Sequence, residues 1–394
     1  DGSNEHHGTG GEWTVSKLRV QWDALDEWIK AANEIGIPTT DDFNTGSNFG
    51  AGYFHVNQRE GWRLNAYQAF IATVLPHRRN LHVRINTHIS KLLFDTNPVT
   101  GKKRCVGVRY LDSKTGQEGE VRARKEVILA AGSIGSVQVL ERSGLGNGEY
   151  LTSLSSCNGT GGVDVVQDLP GVGANLQDHL QIRPYFRVQG LPTLNTTSAS
   201  LYGKAKIALE FLLKSSGPLT SAPSTVGCFA MSDPSQKRPN LEFHVQPLSL
   251  DKFGEPLHSA FDAITASVCN LRPTSRGSVH ITGIDLGDGV DIIPNYLSTT
   301  EDERVAIDAL KLARKIMLET ETFKKFKCRE VVPGLSSQSD EALLAAARTN
   351  STTIFHPVGT AAMGRSLHSD PMSVVDSELK VHGIEGLRVA DASV

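Results

Sequence analysis

Residues 126–146 constrain this chain more than any other stretch. Glu126-Val127-Ile128-Leu129-Ala130 is short and apolar, which predicts a buried strand. It runs into Ala131-Gly132-Ser133-Ile134-Gly135-Ser136, and residues 137–143 then read as a helix closed by Gly144 and Gly146. Small residues at such a turn let the backbone approach a ligand, and a helix N-terminus offers free N–H groups. A strand, a Gly/Ser turn and a helix in that order make a natural place for a cofactor.

The flanking sequence alternates between helical and strand patterns. Trp22, Leu25, Trp28, Ile29, Ala32 and Ile35 recur at helical spacing, and Gly36 and Pro38 end the helix they predict. Residues 64–74 predict a second helix, stopped near Pro76. Residues 81–85 alternate and predict a strand, continued in extended form through Ile89, Leu92 and Phe94. Asn97–Lys102 is a turn, and 106–111 with 119–127 predict a hairpin. Residues 147–168 are polar and Gly/Ser-rich, and read as loop. Beyond 184 the character changes to short strands at 225–231, 241–246, 263–271 and 278–282, separated by Pro/Gly turns, which predicts an antiparallel sheet. Thr300-Glu301-Asp302-Glu303 opens a helix that buries Val305, Ala309, Leu312, Ala313, Ile316 and Met317, and another helix follows near 339–348.

Composition excludes several classes. The chain has 394 residues, 39% hydrophobic and 21% charged, ordinary values for a globular protein. A formal charge of −3 and no Lys/Arg run give no nucleic-acid footprint. No apolar stretch approaches membrane-spanning length, and residues 1–13 have neither the basic start nor the apolar run of a signal peptide. Cys105, Cys157, Cys228, Cys269 and Cys328 are scattered and form no C-x-x-C, so they read as free thiols. Sequons begin at Asn158, Asn195 and Asn350, a number near chance that does not decide secretion. The histidines near 6–7 and 77–88 lack convincing ligand spacing, so no metal site is expected.

The chemistry concentrates at the C-terminal end. Phe355-His356-Pro357-Val358-Gly359-Thr360-Ala361-Ala362-Met363-Gly364 puts a histidine on a Pro/Gly turn, and Val389-Ala390-Asp391-Ala392-Ser393 follows after a spacer. An imidazole titrates near neutrality and suits proton abstraction from a hydroxyl. Upstream stand Asn175-Leu176-Gln177-Asp178-His179 and Arg272-Pro273-Thr274-Ser275-Arg276-Gly277. In this order the motifs closely resemble those of the glucose-methanol-choline (GMC) flavin oxidoreductases, in the choline-dehydrogenase-like branch, along essentially the whole chain. The turn after the histidine departs from the family's G-T-C-R-M-G, but His356 and both glycines keep register.

The resemblance implies FAD as cofactor and oxidation of a small-molecule alcohol, with His356 as acid/base and hydride passing to flavin N5. It implies that Ala131, Gly132, Ser136, Asp391, Ala392 and the backbone of Ile89 border the cofactor. Asp391 can also cap the helix after it. Phe243, His244 and Gln246 are candidate substrate contacts, and His55 and Asn57 stand lower. Asn175, Asp178 and His179 would fix a loop, and the arginines of 272–277 would tie a hairpin to carboxylates. The electron acceptor, oxygen or a quinone, stays open. So do lyase and photodecarboxylase chemistry on the same fold.

The expected fold is α/β plus α+β: part of a Rossmann-like FAD-binding domain with an antiparallel-sheet substrate domain. Its segments would be 1–63 (substrate domain or connection), 64–180 (FAD domain), 181–349 (substrate domain) and 350–394 (return to the FAD domain). No G-x-G-x-x-G unit occurs in the chain, and the family's second catalytic residue would lie past Val394. The sequence thus reads as a GMC protein cut at both ends, expected to bind FAD weakly or not at all and to be inactive by itself.

Overall fold

The computed structural model describes residues 4–155, 161–222, 224–250 and 254–394. Cys157 and the sequon at Asn158 lie outside these residues. The chain forms two compact units, each assembled from three segments. One comprises Asp1–His82, Leu180–Arg272 and Thr300–Thr353; the other comprises Val83–His179, Pro273–Thr299 and Ile354–Val394. Residues 64–82 therefore group with the first unit and 273–299 with the second, the reverse of the boundaries read from sequence.

The first unit is built on an eight-stranded antiparallel sheet. Its main order is Arg329–Val332, Tyr185–Val188, Asp262–Asn270, Leu241–Gln246, Val226–Ala230 and Gly50–Tyr53. Leu180–Ile182 also pairs with Asp262–Asn270, and Ser351–Thr353 joins beside it. Alternation gives the two central strands opposite faces. Leu241, Phe243 and Val245 are fully buried with Ile264, Ala266 and Val268. The helix Asp23–Glu34 lays Trp28 against Phe243, ring centroids 5.8 Å apart. Full burial of a side chain of that size stabilises by roughly 1.5–3 kcal/mol. The other face carries Glu242, His244 and Gln246 beside Thr265, Ser267 and Cys269, polar groups that are nonetheless largely sequestered.

Helices complete this unit. Thr300–Arg314 buries Val305, Ala309 and Ala313, as its period predicts, and runs into a π-turn at Lys315–Glu319 that buries Ile316 and Met317; Leu312 is half-buried. Arg314 makes a bidentate pair with Glu330, at 2.9 and 2.8 Å. Asp340–Thr349 is capped by Ser339, whose hydroxyl accepts from the Ala342 N–H. The helix Leu201–Lys214 has no counterpart in the sequence reading. Only Gly203 and Ile207 of it are buried, and Leu201, Tyr202, Leu209, Leu212 and Leu213 are exposed. Residues 64–74 form only a five-residue π-turn, Tyr67–Ile71, of which Ala69 alone is buried. Without a covered face a longer amphipathic helix has nothing to pack on.

The second unit contains the strand–turn–helix of 126–146. Val127–Leu129 pairs in parallel with Leu387–Val389, and the helix begins at Gly132, five residues earlier than its apolar pattern suggests, ending at Arg142. Thr87–Thr96 and Lys103–Asp112 form a long hairpin around the Asn97–Lys102 turn, with Glu118–Arg122 as third strand. Residues 81–85 pair with nothing among the described residues, and Val83 and Ile85 are exposed; the ladder starts only at Thr87. The expected loop 147–168 holds a short helix, Gly148–Ser153, capped by Asn147, and Gln167–Asp168 pairs in parallel with Leu145–Gly146. Ser278–Ile281 pairs with Val290–Ile293 in this unit rather than joining the large sheet. Leu92, Leu129, Val137, Leu140, Leu169, Val375 and Val389 share one core. No helix among the described residues is long and apolar enough to cross a membrane.

Candidate active site

The C-terminal ends of Val127–Leu129 and Leu387–Val389 open onto one patch of the second unit. Ala130, Ala131, Ala390 and Ala392 are all exposed there. Gly132 has φ of 79°, a conformation that favours glycine, and a Cβ placed on it would meet nothing within 4 Å. Ligands of open α/β sheets bind outside the carboxyl ends of parallel strands, and this patch has that position and that smoothness.

Asp391 organises the patch. One carboxylate oxygen accepts from the Gly132 N–H at 2.9 Å and the Ser136 hydroxyl at 2.5 Å. The other accepts from the N–H and hydroxyl of Ser393, at 2.8 and 2.5 Å. Burial pushes the carboxyl up, but the bonds from Ser136, Ser393 and the Gly132 backbone outweigh it, so its pKa lies below the ordinary value. One oxygen of Asp391 therefore caps the helix Gly132–Arg142 from across the turn, while the other holds the backbone of Ser393. The Gly132 N–H expected to be free is occupied by this carboxylate, which also complements the helix dipole.

The histidine turn is locked to the same helix end. The Ser133 hydroxyl donates to the Pro357 carbonyl at 2.5 Å, and the Thr360 hydroxyl donates to the Ser133 carbonyl at 2.7 Å. The Gly359 N–H reaches the Ala392 carbonyl at 3.2 Å, and the Ala361 N–H reaches Ser393 at 2.5 Å. Gly359 has φ of 82°, and a Cβ there would lie 2.9 Å from the Asn175 carbonyl oxygen and the Gln177 amide nitrogen, so only glycine fits. Phe355, exposed and non-glycine, holds φ of 63° immediately before His356. Such a residue costs roughly 1–3 kcal/mol and marks an over-determined turn.

His356 is exposed, and its Nδ1 lies 3.3 Å from Nδ1 of His179. One ring donates and the other accepts, which leaves Nε2 of His356 as the nitrogen for an incoming group. Asp178 sets both backbones: one oxygen accepts from the N–H of His356 at 3.0 Å and of His179 at 2.9 Å. Its other oxygen accepts from the Tyr296 hydroxyl. Asp178 thus fixes a loop, as its motif suggested. Tyr296 was missed because nothing near it in sequence points to the site; Asn295 and Leu297, both at positive φ, place it. Arg276 donates to the Asn175 side chain at 3.1 Å and to the carbonyls of Pro273 and Ser275, so it ties a loop through neutral oxygens rather than carboxylates.

Of the remaining candidates, Ile89 lies on Thr87–Thr96, an edge strand of its sheet, with its side chain packed on the core. Phe243 belongs to the apolar face in the first unit, a core position rather than a pocket wall. His244 and Gln246 occupy the opposite, polar face of the same strand. Asn195 is buried, its amide donating to Ser249 and His258, so its sequon is inaccessible in the folded chain. Cys105, Cys228, Cys269 and Cys328 are free thiols.

Profiles of the GMC oxidoreductase family match residues 11–181 and 273–394. An alcohol dehydrogenase (acceptor) of Pseudomonas putida is 34% identical over the whole chain, which spans 68% of that protein. An oxygen-dependent choline dehydrogenase of Cronobacter sakazakii is also 34% identical, with 67% of its length covered. Among solved structures, pyridoxine 4-oxidase from Mesorbium loti superposes with a TM-score of 0.81 at 25% identity, over 98% of this chain and 68% of that one. Formate oxidase of Aspergillus oryzae, at 23% identity, shares the fold with a TM-score of 0.85, over 98% of this chain and 69% of its own. The chain belongs to the GMC oxidoreductases, a family of FAD-binding flavoproteins.

Proposed function

We propose that this protein oxidises an alcohol to an aldehyde or ketone with FAD as cofactor and His356 as the base. The observation that carries the reading is the single frame joining His356, through Pro357, Thr360 and Ala361, to the Ala131–Ser133 turn and Asp391. The patch fits a flavin: small exposed residues, an open Gly132 and a fixed carboxylate at the ends of parallel strands. Ala131, Gly132, Asp391 and Ala392 would border it, the fully buried Ser136 would act only through Asp391 rather than touch the cofactor, and the edge strand would offer the backbone of Ile89.

When bound, FAD supplies the hydride acceptor, at N5. The chain's own part is proton transfer and positioning. Nε2 of His356 takes the hydroxyl proton as the alcohol carbon gives up hydride. His179 holds the imidazole through Nδ1, and Asp178, braced by Tyr296, holds both backbones. The Ser133–Pro357 and Thr360–Ser133 bonds keep the base in register with the turn. His244 and Gln246 are the candidates for substrate contact, and the acceptor, oxygen or quinone, is left open.

The test is a visible spectrum of the purified protein with added FAD, before and after an alcohol panel. Alcohol-dependent bleaching that is lost in His356→Ala while flavin stays bound supports the reading. Flavin bound but untouched by every alcohol would turn it toward lyase chemistry. The 394-residue chain by itself, which holds no G-x-G-x-x-G unit, is expected to bind FAD weakly; recovery of stoichiometric flavin with it would refute that expectation.

A further inference from the structure

The polar face of the large sheet gathers a donor set that the sequence does not display. Glu242 and His244 sit two apart on one strand and so point the same way. Cys269 stands directly opposite Glu242 on the neighbouring strand, and Ser267 stands opposite His244. One ligand atom each from Glu242, His244 and Cys269 lies within 4.8 Å of the others. We propose that Glu242, His244 and Cys269 form a binding site for a zinc-class divalent ion.

Four observations support this. First, the spacing is close to that of a coordination sphere. Tetrahedral zinc, with bonds of about 2.0–2.3 Å, holds its ligand atoms roughly 3.3–3.8 Å apart, and Nε2 of His244 lies 3.4 Å from the Glu242 carboxylate. Second, that Nε2 is buried and makes no hydrogen bond. The other ring nitrogen, Nδ1, is engaged by the Ser224 hydroxyl at 3.1 Å. A ligating histidine is oriented in this way, with one nitrogen held by an outer partner and the lone pair of the other aimed at the metal. Third, Ser267 is 1% exposed, and its hydroxyl also lacks a hydrogen-bond partner. It faces the cluster from beside His244, where it can bond a water in the fourth position. Fourth, little solvent reaches the cluster, with the His244 and Glu242 side chains 16% and 12% exposed. Cys269 is 1% exposed, and Phe54 lies over Gly227 with its ring 5.8 Å from His244.

The donor chemistry selects the ion. A thiolate and an imidazole favour zinc, cobalt or their neighbours over magnesium and calcium. Thiolate and carboxylate together carry two negative charges and neutralise a divalent cation, so the filled site adds no net charge to the interior. Binding releases the Cys269 thiol proton, which points at the Glu242 carbonyl at 3.7 Å in the metal-free chain. Sequence spacing hides the site because Cys269 is 25 residues beyond His244 and meets it only through strand pairing. The assignment is independent of the flavin reading, but at His244 Nε2 a metal ligand and a substrate contact exclude each other.

The test is a titration of the chelator-treated full chain with Co²⁺ alone, followed by displacement with Zn²⁺. Expected is one equivalent of Co²⁺ with a thiolate-to-cobalt charge-transfer band, abolished by Zn²⁺ and absent in Cys269→Ser and His244→Asn. No such band in the wild type, or a band that survives Cys269→Ser with the other cysteines intact, would overturn the proposal. Should Cys269→Ser not fold, Ser224→Ala decides: it keeps all three ligands and is expected to weaken Co²⁺ binding roughly 10–100-fold. Unchanged affinity would count against the site.

Discussion

Replacing Asp391 by Asn is nearly isosteric and isolates the carboxylate's charge. The native group accepts four hydrogen bonds, two on each oxygen. The amide keeps one acceptor oxygen and turns an NH₂ toward the other two donors. Serine hydroxyls can rotate and accept from it, but a backbone N–H, of Gly132 or of Ser393, cannot. Bonds to a charged acceptor contribute about 1.5–3 kcal/mol each and neutral ones about 0.5–1.5, and the helix N-terminus loses a further 0.3–1 kcal/mol or so. The carboxylate is only part-buried, so the low end applies, and the expected cost is about 3 kcal/mol. Amide hydrogen exchange at residues 132–136 and 391–394 reads this locally, as a roughly hundredfold loss of protection. Acid supplies the second arm. The folded carboxyl titrates below its ordinary value, so its stabilisation is complete above the ordinary carboxylate range and is lost as pH falls through the lower folded value. The gap between wild type and variant should therefore close in acid. Unchanged protection at neutral pH, or a gap that widens on acidification, would refute the capping role.

Two further substitutions probe the same unit. Glu141 has a fully buried side chain that accepts from the Ile281 N–H at 2.8 Å and pairs with His280 at 2.7 Å; Glu141→Ala should cost about 3–5 kcal/mol in denaturant unfolding, and a loss under about 1 kcal/mol would show that His280 and Ile281 find other partners. Tyr296→Phe removes one bond to Asp178, worth about 1 kcal/mol, and should slow alcohol-dependent flavin reduction several-fold with FAD affinity unchanged; a change confined to FAD affinity would remove Tyr296 from the positioning of His356.

Much of this was legible in the sequence where one period dominates. The strand Leu241–Gln246 alternates cleanly, and its bounds match the reading. Asp23–Glu34 and Thr300–Arg314 each present one apolar stripe bounded by turn residues. Leu201–Lys214 falls inside a stretch that reads as short strands, although Leu201, Leu209, Leu212 and Leu213 share one side at 3.6-residue spacing; that side is exposed rather than packed. Residues 81–85 have a good strand pattern but no strand partner among the described residues, and alternation says nothing about partners. At the site, the motifs name candidate residues one by one but not the bonds between motifs. Asp391 and Ser136 were both candidates, yet that one caps the other's helix emerges only in three dimensions. Tyr296 and Ser133 act through single hydrogen bonds across long loops, which leave no trace in spacing.

The division of each unit into three separated segments has a consequence for how the chain can be handled and made. A single cut releases neither unit, since each is stitched from stretches lying on both sides of the other's residues. The unit that carries His356 gains Leu387–Val389, the strand beside Val127–Leu129, and Asp391 only with its last segment. During synthesis the helix Gly132–Arg142 is exposed to solvent long before its capping carboxylate is translated, so this unit cannot fold in the usual order of first-made, first-finished domains. Strand Val127–Leu129 waits with an unpaired edge over the same interval, and that edge is where a stalled or shortened product would aggregate.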